Sequence, residues 1–110
     1  MDSNKIVLCA SSKYEQKYYL NQDFIGLPDQ IKKELKIMCV LFTEDVGGIF
    51  TLYFDEDGGL NIETEADEYD VLYDDIGSAL KVKQLRKEKQ DLFSSLEMYF
   101  RVFYLEEYQE

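Results

Sequence analysis

The chain has 110 residues, of which 45% are apolar and 15% aromatic, enough to bury the core of one domain and to exclude a disordered polymer. Twelve basic against 23 acidic residues leave a net charge of −11. That field repels nucleic-acid phosphates and anionic membrane surfaces, and argues against both as partners.

The start, Met1-Asp2-Ser3-Asn4-Lys5, leads into only a short apolar run and lacks the long apolar core of a secretory signal. No run reaches the roughly 18 apolar residues of a spanning helix. A cytoplasmic location is therefore expected.

Lys5–Ala10 predicts a short, well-buried strand. Residues 12–20 support two readings. Ser12-Lys13-Tyr14-Glu15 fits a capping box opening a helix with Tyr14 and Tyr18 on one face. Lys17–Leu20 (KYYL) fits a strand folding back on the first as a hairpin. Asn21–Leu27 reads as loop, and Pro28 followed by Asp29 opens a short helix to about Lys36.

Ile37–Phe42 (IMCVLF) is a continuous apolar run, read as a strand covered on both faces. Turn residues ending in Gly47-Gly48 lead to Ile49–Phe54, and Asp55 to Gly59 lead to an alternating strand from Leu60 to Glu65. From about Asp67 the period becomes helical, with Tyr69, Tyr73, Ile76 and Leu80 on one face. A second helix is predicted over Lys83–Leu105, apolar nearly all round from Leu92 onward, so it is buried on several sides or paired with a second copy. A final strand at Met98–Leu105 is the rival assignment. The fold class is thus α+β in one domain, residues 1–110: a three- to four-stranded antiparallel meander with a short helix before it and two helices after it.

Little in the sequence supports catalysis. Histidine is absent, which removes the commonest general base, the commonest zinc ligand and any Ser-His or Cys-His nucleophile. Cys9 and Cys39 sit in apolar runs and read as two buried, reduced thiols. Both Gly pairs sit in hairpin turns rather than before a helix, so neither makes a phosphate loop. Asp55-x-Asp57-Gly58-Gly59 departs from the EF-hand at its fifth and sixth positions. The chain is expected to be no enzyme and to use no cofactor.

What stands out is charge segregation. Ten acids and no base fall between Asp55 and Asp75, then Lys81, Lys83, Arg86, Lys87 and Lys89 follow against Glu88 alone. A single-sign surface keeps an aromatic-rich domain soluble or steers a basic partner. Glu63, Glu65, Asp67, Asp70 and Asp74 are the candidate partner-binding acids, joined by Tyr99 and Phe103 of the aromatic C-terminal helix.

Several passages also look familiar as a set: Val7-Leu8-Cys9, Tyr14–Tyr19, Leu27-Pro28, the thirteen residues from Cys39 to Thr51, Glu63-Thr64-Glu65, Leu72-Tyr73-Asp74 and Tyr99–Phe103. Together they resemble an uncharacterised family of small acidic proteins from anaerobic Firmicutes. The resemblance implies a cytosolic bacterial protein and carries over no site residue.

The sequence therefore points to a small protein-binding or adaptor protein, a homodimer with a basic protein partner, acting through an acidic sheet face and its last helix. An antitoxin-, immunity- or secretion-chaperone-like protein is one alternative. A divalent-metal enzyme using Glu63, Glu65, Asp70 and Asp74 is the other.

Overall fold

The computed structural model describes residues 5–105, which form an α+β domain with helices on one face of a four-stranded antiparallel sheet. Strands β1 (Ile6–Ser12), β2 (Lys17–Leu20), β3 (Ile49–Phe54) and β4 (Leu60–Glu65) lie in the order β2-β1-β3-β4. A helix precedes the β3–β4 hairpin and two follow it, as the sequence pattern predicts.

The hairpin reading of residues 12–20 is the one adopted, with Ser12 opposite Lys17 and Cys9 opposite Leu20. Half of the expected capping box still forms, since Ser12 Oγ accepts the Glu15 amide at 3.2 Å. It closes a turn instead of opening a helix, and Gln16 takes the left-handed conformation (φ 53°) that reverses the chain. A bulge between Val7 and Cys9 shifts the β1–β3 register, and Leu8 and Cys9 are consecutively buried there.

Ile37–Phe42 is no strand. It is the middle of an 18-residue helix, α1, spanning Asp29–Val46. Nothing between Lys36 and Ile37 stops the helix that Pro28 opens, and the core contacts repeat at helical spacing through Leu35, Met38, Cys39, Phe42 and Val46. Ile37 and Leu41 of the same run are 52% and 58% exposed, which a two-sided buried strand would not permit. The helix stops where the chain passes into Gly47 at φ 87°.

The two helices after the sheet are α2 (Asp75–Glu88) and α3 (Gln90–Phe100), broken at Lys89 and continued by a π-helical turn over Arg101–Leu105. The first begins eight residues later than its apolar period suggests, because Asp74 Oδ1 accepts the Gly77 amide at 2.8 Å and sets the N-terminus there. Met98–Leu105 is helical, so the rival strand is not formed.

Phe50, Leu52 and Phe54 of β3 face the helices with Leu60, Leu35, Phe42, Phe93, Leu96 and Phe100. Phe100 stacks on Phe54 with centroids 4.2 Å apart and rings 7° from parallel, and Phe24 and Tyr104 extend the cluster. The all-round apolar character of the last helix is thus absorbed largely within one chain, between β3, the 3-10 turn at Gln22–Phe24 and its own π-helical end. Among the described residues no helix is long and apolar enough to cross a membrane.

Candidate functional site

The alternation of β3 and β4 sends Phe50, Leu52, Phe54, Leu60 and Ile62 to the helices and leaves Thr51, Tyr53, Asn61, Glu63 and Glu65 on the opposite, open face. That face is mixed in charge. Lys5 pairs with Glu63 at 2.9 Å and lies 4.5 Å above the Tyr53 ring, and Lys17 and Tyr19 stand on the same side of β2. Glu63 and Glu65 point outward as the period-two pattern requires, but among neutral and basic neighbours.

The remaining acids collect at one end of the sheet, in the connection of residues 66–74 between β4 and α2. Asp67, Asp70 and Asp74 are each held by a specific bond. Tyr14 Oη donates to Asp70 Oδ2 at 2.5 Å and accepts the Asp67 amide at 2.9 Å. Asp70 Oδ1 accepts the Leu72 amide, Asp74 caps α2, and Tyr73 Oη donates to Ser78 Oγ at 2.7 Å. The bond to the Asp70 carboxylate pushes the Tyr14 phenol above its ordinary pKa. Glu65, Asp67, Glu68, Asp70, Tyr73 and Asp75 line a polar hollow of about 320 Å³.

Gly48 makes the close packing here possible. It has φ 71°, and a Cβ on it would sit 2.5 Å from the Glu65 carbonyl oxygen and 2.6 Å from the Tyr73 ring.

This anchoring leaves three large apolar side chains outside. Tyr69 is 85% exposed, Val71 93% and Leu72 88%. Residues 69–72 alternate these with an acid, so an apolar cluster is displayed inside an acidic rim. The sequence pattern placed Tyr69 on the apolar face of a helix and singled out neither Val71 nor Leu72. Asp74 standing three residues before Gly77 is the signal that moves the helix start and leaves those positions in the connection.

The other two predicted contact residues lie elsewhere. Tyr99 and Phe103 pack against each other at 4.6 Å on the surface of α3 and its π-helical end, and Phe103 is 64% exposed. They sit toward the β3–β4 turn, where Glu97 Oε2 accepts the Leu60 amide and the Arg101 stem lies near Gly58. That is the end of the sheet opposite the 66–74 connection, so the structure spreads the predicted set over the open sheet face, the connection and this far end. The turn acids also belong to this far end. Asp55 accepts the Asn61 side-chain amide and the Asp57 and Gly59 backbone amides, which together hold its carboxyl below the usual range, the Asn61 bond most of all.

Glu63, Glu65, Asp70 and Asp74, the carboxylates of the metal-enzyme alternative, are not gathered. Among the described residues no three of His, Cys, Asp or Glu are placed to hold a metal ion. Cys9 and Cys39 are buried free thiols with sulfurs 3.7 Å apart, joining β1 to α1. Their mutual bond and then burial push the Cys39 thiol up. Tyr18 Oη is buried near them without a hydrogen-bond partner, and burial raises its pKa in turn.

The basic segment lies across α1 rather than across β4. Lys81 pairs with Asp45 at 2.9 Å and Lys89 with Glu34 at 3.2 Å, which fixes α1 and α2 antiparallel. Between them runs a groove of about 420 Å³, floored by Met38 and Leu85, with Ile37 and Leu41 along it and Lys33 on its rim.

No curated protein and no solved structure matches the chain. The model of a family of unknown function, DUF6145, matches residues 5–108, and the protein belongs to that family.

Proposed function

We propose that this is a non-enzymatic protein-binding module, docking through its 66–75 segment onto a protein surface that offers an apolar hollow with a basic rim. The observation that carries the reading is the exposure of Tyr69, Val71 and Leu72 on a segment otherwise pinned by hydrogen bonds. Large apolar side chains grouped on an ordered surface and rimmed by polar groups mark interaction sites. The acids around them select a cationic partner and speed its approach. The Asp70 and Asp74 carboxylates are engaged in holding amides and a tyrosine hydroxyl, which is a supporting role.

Burying the three side chains contributes roughly 1.5–3 kcal/mol each before the cost of association. A micromolar constant, about 8 kcal/mol, therefore requires the charge pairs at the rim in addition to these three side chains. A photo-crosslinking residue at position 72, introduced in the native host, tests the reading. The expected product joins position 72 to a basic, apolar-lined site on another polypeptide, and Val71→Asp abolishes it while the circular dichroism spectrum is unchanged. Crosslinking that is diffuse, or indifferent to Val71→Asp, refutes it.

A further inference from the structure

Seven of the fourteen large apolar side chains exposed among the described residues lie on three neighbouring elements: Tyr69, Val71 and Leu72 in the connection, Ile76 and Leu80 on α2, and Ile37 and Leu41 on α1. Charge divides these elements in two. The connection and the start of α2 carry Glu65, Asp67, Glu68, Asp70, Asp74 and Asp75, whereas eight of the chain's twelve lysines and arginines lie on α1, α2 and the Lys89 cap. Asp74 opens α2, and the groove runs beside its C-terminal half, against the N-terminal half of α1, lined by Lys33, Lys81 and Lys89 together with Glu34 and Glu88, with Lys81 paired to Asp45 and Lys89 to Glu34.

We infer that the partner of the 66–75 segment is a second copy of this chain, seated by a twofold axis that sets α2 antiparallel to its counterpart. This rests on the docking role proposed for that segment. Such an axis brings the acidic connection of each copy to the Lys33, Lys81 and Lys89 end of the other in a single operation, and leaves Ile76 and Leu80 between them. An isologous contact requires a surface complementary to itself, and an apolar stripe with acids at one end and bases at the other has that property.

Two copies at −11 repel one another overall, so a stable contact must join opposite charges locally, as this arrangement does. The chain does not fill its own groove. Tyr14 holds Asp70, and Asp74 caps the near end of α2 beside Val46, keeping the connection at the sheet end. Helix α2, with 14 residues, is about 21 Å long. At a helix width of about 10 Å that is a strip of roughly 200 Å², well short of the roughly 800 Å² per partner of standard interfaces, so the connection and α1 must supply the remainder.

Sedimentation equilibrium on the full chain at about 100 µM, well above a micromolar constant, tests the inference with two exposed positions, Glu68 and Lys33. The wild type should weigh twice 13.0 kDa. Glu68→Lys and Lys33→Glu should each raise the dissociation constant roughly tenfold by placing like charges opposite one another at both ends of the dimer. Mixing the two variants restores opposite charges at both contacts, and the mixed dimer should recover wild-type affinity. A 13.0 kDa wild type, a dimer indifferent to Leu72→Asp, or a mixture no tighter than its components overturns the inference. If the wild type is monomeric while position 72 still crosslinks to a basic protein, self-pairing fails and the docking segment stands. If position 72 crosslinks to nothing specific, both fail.

Discussion

Replacing Thr43 by valine should cost more stability than replacing its hydrogen-bond partner Ser11 by alanine, although both side chains are buried and the pair shares one bond. Ser11 Oγ and Thr43 Oγ1 lie 2.9 Å apart between β1 and α1, at 4% and 2% exposure. The two hydroxyls differ in their alternatives. Thr43 Oγ1 also lies 3.2 Å from the Val40 carbonyl and 3.5 Å from that of Cys39. It can donate to its own helix while accepting from Ser11.

Thr43→Val therefore strands the Ser11 hydroxyl, at about 1–3 kcal/mol for a buried polar group without a partner. Ser11→Ala leaves Thr43 bonded to the helix backbone and removes one net hydrogen bond, about 0.5–1.5 kcal/mol. The double variant removes both polar groups together and should cost less than the sum of the singles, with a coupling of about 1 kcal/mol. Urea unfolding followed by circular dichroism at pH 7 measures all three, with a constant m-value as the check that the folded and unfolded ensembles are comparable. A Ser11→Ala cost equal to or above that of Thr43→Val, or strictly additive singles, would refute the assignment of donor and acceptor across this pair.

Asp55→Asn should destabilise the β3–β4 turn at neutral pH. Because the folded-state pKa of Asp55 is depressed, its contribution is present above the unfolded value near 4 and fades as pH falls through the lower folded value. Wild-type and variant unfolding curves should converge in acid, and a gap that widens there contradicts the linkage. Gly48→Ala should lower the melting temperature by several degrees, since it combines a positive φ with a Cβ against the Glu65 carbonyl. A neutral result would mean that Tyr73 and β4 move apart freely. Tyr14→Phe removes both bonds to the connection and should accelerate amide exchange over residues 67–72 while leaving β3 protected; unchanged exchange there would show that the segment is held by other means.

The two hairpin partners β3 and β4 were legible because Gly-Gly turns bracket runs of period two, a local signal that tertiary contacts reinforce. The Ile37–Phe42 run was not legible in the same way. Six consecutive apolar residues satisfy strand and helix periods equally, and only the phase of Leu35, Met38, Cys39, Phe42 and Val46 across a wider window separates them. The acids of the connection were found by composition, but their tasks were hidden. Asp70 and Asp74 act on a tyrosine and a helix start whose positions depend on the fold. Neither Val71 nor Leu72 was marked as a surface residue, for a complementary reason: an exposed apolar residue is indistinguishable in sequence from a core one until the core has been filled by others.

The sheet order assigns different histories to its three seams. The β1–β2 and β3–β4 seams close across turns of a few residues, whereas the β1–β3 seam joins Ser12 to Ile49 and Ile6 to Phe54 across the whole of α1. Loop-closure entropy makes that central seam the slow pairing. Substitutions that loosen its contacts, at Leu52 or at the bulge beside Cys9, should slow refolding, whereas equivalent changes in the Tyr18–Leu20 edge should chiefly hasten unfolding. Helix α1 is then the scaffold on which two independently formed hairpins are brought into register.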